Sequence, residues 1–159
     1  MMGGEFLKFL GQAVVVGIGW FVVNRLSALR ERDKARRDIV VESAEGLADE
    51  IDELLTDARS YHLGNRDSAA ELSLKMTIQN LAMRTLALSD ICADERLLAP
   101  CRADVAALRK AVTGRHFEDE HEGPLKEGDI QVQLMAEAAL KAKRGLLKLK
   151  HAQYAVEKH

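Results

Sequence analysis

The sequence predicts an all-α protein: an N-terminal transmembrane helix and basic stalk, followed by an antiparallel up-down-up-down four-helix bundle. Three observations predict it. Residues 6–23 are almost wholly apolar. Beyond residue 39, apolar residues recur at alternating steps of four and three, the spacing of a helix seam. The 159 residues include two prolines, 4% aromatics and no Asn-Gly or Asp-Gly pair, so strands and hairpins lack their usual signals.

The anchor comes first. Residues 6–23 read FLKFLGQAVVVGIGWFVV, with Lys8 and Gln12 as the only polar side chains. Such a helix is about 27 Å long, slightly short of a hydrocarbon core of about 30 Å. Lys8 lies near one end, where its ammonium can snorkel to the interface, and Trp20 suits the opposite boundary. A signal peptide fits less well, because Glu5 offsets Lys8 and no small-x-small cleavage pattern precedes Arg25. A buried soluble helix would need partners on every side, whereas the rest of the chain offers one-sided stripes. Residues 1–24 therefore read as a single-pass anchor and 25–38 as a juxtamembrane stalk.

Arg25, Arg30, Arg32, Lys34, Arg36 and Arg37 all follow the span, against Lys8 before it. The positive-inside rule then places the N-terminus outside and the C-terminal domain in the cytoplasm. These groups also suit anionic headgroups, at about 1 kcal/mol per basic residue near the surface, diluted by Glu31, Asp33 and Asp38.

The stretch Gly19-Trp20-Phe21-Val22-Val23-Asn24-Arg25-Leu26-Ser27, followed by Arg30, Arg32, Asp33, Lys34, Arg36 and Arg37, resembles the start of small, uncharacterised proteobacterial proteins with one N-terminal span. The resemblance covers residues 17–37. It implies a bacterial inner-membrane protein and brings no catalytic residues with it.

The cytoplasmic bundle is expected over 39–159, with helices at about 39–62, 68–93, 97–113 and 129–156. In the first, Val40, Ala44, Leu47, Ile51, Leu54, Ala58 and Tyr61 form the seam. The same register run backwards meets Arg37, Asp33 and Arg30, so packing starts near Ile39. No proline before Pro100 obliges a break, and one rod can run from span to bundle. Ser68-Ala69-Ala70-Glu71 reads as a capping box opening the second helix, whose seam is Leu74, Ile78, Leu81, Thr85, Leu88 and Cys92, widened by Met76, Met83 and Leu86. Pro100 suits an early turn of the third helix, with Leu98, Cys101, Val105, Leu108 and Val112 in register and Gly114 as cap. The fourth carries Val132, Met135, Ala139, Ala142, Leu146, Leu149 and Val156.

Charge bears on which helices are neighbours. Glu42, Glu45, Asp49, Glu50, Asp52, Glu53 and Asp57 lie on the first helix without a basic residue among them. Lys141, Lys143, Arg144, Lys148 and Lys150 lie on the last without an acid. Placing Val40 opposite Val156 in antiparallel register sets the two blocks face to face.

Signals for chemistry are sparse. Glu118-Asp119-Glu120-His121 has the Glu-x-x-His spacing of di-iron bundles, with His116 close by, but it lies in the 114–128 loop and has no second copy. A solvated acidic loop is the plainer reading. Cys92 and Cys101 lack metal-ligand spacing and fall on apolar seams, so they read as small core residues. His62 reads as a helix-terminal histidine before it reads as a phosphoacceptor. The net charge of −2 and the missing stacking aromatics argue against a nucleic-acid partner. No phosphate loop or nucleophile elbow is present, and no cofactor is expected.

The expected function is thus a membrane-anchored cytoplasmic helical interaction or scaffold module without intrinsic catalysis. Its partners would be the lipid bilayer and a protein, with self-association through the span or bundle. Two alternatives stand beside it. One is a membrane-perturbing effector, a small toxin, holin-like or defence protein that oligomerises through its span. The other is a metal-dependent enzyme centred on His116, Glu118 and His121.

Overall fold

The computed structural model describes residues 3–64, 67–92, 94–114, 117 and 123–155, and of 3–19 the backbone alone. The described residues form four α-helices and no strand: α1 (Gly3–Leu63), α2 (Ser68–Ile91), α3 (Glu95–Val112) and α4 (Ile130–Ala155). The chain divides into two compact units, 1–37 and 38–159.

In the first unit α1 exposes every side chain from Trp20 to Arg36, and Arg37 is half-buried. The second unit holds the core. It begins at Val40, where the four-three row of α1 first finds apolar residues, and that row through Tyr61 is buried throughout. Leu74, Ile78, Leu81, Leu88 and Cys92 join it from the α2 side, Leu98, Cys101, Val105, Leu108 and Val112 from α3, and Val132, Met135, Ala139, Ala142, Leu146 and Leu149 from α4. Val156 lies outside the described residues. Thr85, a polar side chain in this core, donates its hydroxyl to the Leu81 carbonyl at 2.7 Å, so its burial leaves no donor unmet.

The helix ends differ from the sequence expectations in instructive ways. Asp67, and not Ser68, caps α2: its carboxylate accepts from the Ala69 N–H at 3.1 Å. Glu71, freed from a capping box, instead holds Lys75 at 2.6 Å. The helix stops at Ile91, with Cys92 as its C-cap. Helix α3 starts at Glu95, two residues before position 97, because the Asp94 carboxylate takes the Arg96 N–H at 3.0 Å. Pro100 consequently lies inside the helix, where it has no N–H to offer the carbonyl four residues back. At the other end the cap is Thr113, one residue ahead of Gly114, its N–H and hydroxyl both directed at the Arg109 carbonyl at 2.9 Å. Asp129 initiates α4 by accepting from the Gln131 N–H at 2.9 Å.

Met76, Met83 and Leu86 do not widen the α2 seam; all three face away from the core. Apolar character alone does not say which side of a helix is covered. Helices α3 and α4 lie close at Gly145 of α4, where an added Cβ would lie 3.4 Å from Cys101 Sγ and 3.3 Å from an Asp104 carboxylate oxygen. Two small residues at one crossing let the helix backbones draw together.

The capping assignment gives a direct test. Asp67→Ala and Asp94→Ala should each lower the unfolding free energy by about 1 kcal/mol in urea titrations, whereas Ser68→Ala should leave it within about 0.5 kcal/mol.

Candidate functional site

One end of the bundle gathers a cluster of polar and aromatic side chains. His62, in the last turn of α1, is 0% exposed, and its Nε2 lies 2.9 Å from the Val112 carbonyl at the end of α3. A carbonyl only accepts, so Nε2 carries the hydrogen. The His62 carbonyl in turn accepts from the Leu125 N–H at 2.8 Å. Tyr61 stands edge-on to the imidazole at 5.2 Å, and Phe117 packs on both rings at 5.5 and 6.2 Å. Lys75 Nζ lies 5.7 Å from the Phe117 ring centroid. The cluster fastens the ends of α1 and α3 and the segment after residue 123 to one another. An imidazole so enclosed is closed to a phosphate donor, and this geometry gives His62 a structural task.

The two thiols are also interior. Cys92 and Cys101 are both buried and free. Cys101 donates to the Leu97 carbonyl at 3.3 Å, and Gln153 Nε2 approaches Cys92 Sγ at 3.8 Å. Burial, with Asp104 and then Cys92 adding to it, pushes the Cys101 thiol above its ordinary value. That is the opposite of an activated nucleophile.

A charged face lies along α1 and α4. Lys143 pairs with Asp52 and Lys150 with Glu45. The hydrogen bond to Glu45 raises the Lys150 pKa, keeping the ammonium charged. The acidic block is shared, however. Arg84 of α2 takes Glu50, and Lys141 turns to Asp104 of α3 at 3.4 Å. Sequence reasoning missed both, because Arg84 and Asp104 lie outside the two charge blocks.

Two shallow grooves open between helices. The one of about 650 Å³ between α2 and α3 is lined by Lys75, Gln79, Met83, Arg109 and Phe117 among others. The other, of about 690 Å³ between α3 and α4, is lined by Ala107, Ala111, Leu134 and Ala138 together with Lys110, Thr113, Glu137 and Lys141.

Of the residues singled out for metal, His116, Glu118 and His121 lie outside the described residues. Among the described residues no three or more His, Cys, Asp and Glu side chains are grouped to hold a metal ion. Of the proposed interface residues, the Lys8 side chain is outside the description, Trp20 is 70% exposed, and Arg25, Arg30, Arg32, Lys34 and Arg36 are exposed. Arg37 donates through Nε to the Asp33 carbonyl at 3.3 Å. Among the described residues no helix is long and apolar enough to cross a membrane. No protein-family model, curated protein or solved structure matches the chain.

Two outcomes follow. His62→Ala should cost about 2–4 kcal/mol in chemical unfolding, combining the cavity with an orphaned Val112 carbonyl. For Cys101 the folded pKa exceeds the unfolded one, so its contribution is present below about pH 8.5 and is lost as pH rises and the unfolded chain releases a proton that the folded chain keeps. Urea unfolding at pH 7.5 and 9.5 should show the parent losing more stability over that interval than Cys101→Ala.

Proposed function

We propose that the chain is a membrane-tethered helical interaction module: a single N-terminal span, a basic stalk and a cytoplasmic four-helix bundle in up-down-up-down order. The observation that carries the reading is the exposure of Trp20, Phe21, Val22 and Val23 on α1. Four consecutive residues at about 100° each point to every side of a helix. No one-sided protein contact covers such a surface, whereas a bilayer covers all of it. The same helix carries upstream residues 6–18, apolar but for Lys8 and Gln12. The exposed basic groups from Arg25 to Arg36 fit the headgroup zone of the cytoplasmic leaflet. Their pattern, with its resemblance to small proteobacterial single-span proteins, supports a bacterial inner-membrane address with the N-terminus outside.

The antiparallel order is supported by partner numbering. Rising numbers on one helix meet falling numbers on the next: Asp52 with Lys143 and Glu45 with Lys150, Glu50 with Arg84 and Tyr61 with Glu71, Asp104 with Lys141 and Ala111 with Gln131. The α1 and α4 pairs fall within one residue of the register that sets Val40 against Val156. An interaction role is supported by grooves and faces that are available to a partner and by side chains arranged for packing.

Fractionation tests the tether. The full chain should stay with membranes through an alkaline wash and leave them only in detergent. Val15→Arg/Ile18→Arg, placing charges near mid-span at about 2.5–3.5 kcal/mol each, should shift it to the supernatant. Parent protein in the detergent-free supernatant would overturn the reading.

A further inference from the structure

The groove between α2 and α3 has the make-up of a small-molecule site. Its volume of about 650 Å³ falls among the pockets of about 300–1,000 Å³ that hold such ligands. Ile78, Met83 and Phe117 give it apolar surface, and polar side chains converge on it from both walls, Lys75 and Gln79 from α2 and Arg109 from α3. Among the described residues no carboxylate lines it. Lys75 is answered by Glu71 at 2.6 Å, which lies outside the lining, and that pair is neutral. Arg109 pairs with no acid among the described residues, so the groove keeps one net positive charge. The groove between α3 and α4 differs, because Glu137 in its lining and Asp104 beside it offset Lys110 and Lys141.

We propose that the α2–α3 groove binds a small aromatic monocarboxylate. The planar guanidinium of Arg109 matches a carboxylate, taking both oxygens through parallel N–H donors. The Lys75 ammonium has three donors and gives one to Glu71, which leaves it a contact for the same anion from the opposite wall. Its place 5.7 Å from the Phe117 ring centroid holds that ammonium over an apolar neighbour. The ligand's ring then covers Ile78 and Met83, whose thioether is favourable beside an aromatic edge. Gln79, with an amide that both donates and accepts, suits a polar substituent on the ring. A single negative charge balances the single uncompensated cation, whereas a dianion would leave one charge unanswered close to Glu71. Bound in this way, the ligand joins α2 to α3.

This inference goes beyond the membrane reading and does not rest on it: the same titration serves in detergent or, for a chain that leaves membranes without it, in buffer. Naphthoate is the probe. Added to the isotope-labelled full chain in a non-ionic detergent, it should shift the backbone amide signals of Gln79, Met83 and Arg109 and saturate with a dissociation constant of about 1 mM or below, the ordinary efficiency of so small a ligand. Arg109→Ala should raise that constant about fivefold or more with helical circular dichroism unchanged, and the uncharged isostere naphthamide should bind the parent more weakly by a similar factor. Met83→Glu, which sets a carboxylate in the groove, should act in the same direction. Shifts that fail to saturate by about 10 mM, or that map only to other surfaces, overturn the proposal. So does naphthoate binding that is indifferent to Arg109→Ala, or naphthamide binding as tight as naphthoate, since apolar adsorption alone behaves that way.

Discussion

Burial of a single row on α1, from Val40 to Tyr61, is the constraint on which the rest of the bundle depends. Each of its residues is at most 4% exposed, and the rows of α2, α3 and α4 close around the same core. The row ends abruptly upstream because Arg37, Asp33 and Arg30 occupy the positions that would continue it. Charged side chains occupy that face upstream of Val40, so the packed row ends within an unbroken helix. The compact unit accordingly starts at residue 38.

The rows were legible because a helix's periodicity and the covering of its inner face are one physical fact. Every described residue of the four seams is buried. The outer faces were less legible. Met76, Met83 and Leu86 have the same transfer free energy whether they look inward or outward, and only the placement of neighbouring helices decides. The ends were misread by one or two residues where adjacent side chains compete to cap. Asp67 precedes Ser68, both chemically able, and Asp94 precedes a proline that also suits a first turn. His62 was legible as a helix-terminal residue but not as a buried one, because its acceptor, the Val112 carbonyl, is fifty positions away.

The charge blocks show how polar surface shapes topology without dominating stability. Exposed ion pairs contribute little each, yet an acidic α1 is poorly matched to any neighbour carrying the same sign. Lys143 and Lys150 answer it from α4 and Arg84 answers it from α2. The acidic helix thus has cations on two flanks.

Gly145 and Cys101 share one crossing of α3 and α4, where an added methyl at 145 would already touch Asp104 and Cys101. A side chain at position 145 would need the Asp104 carboxylate to give by a few tenths of an ångström, and one larger than a methyl would press on Cys101 as well. Any redesign of this crossing has to treat positions 101, 104 and 145 together.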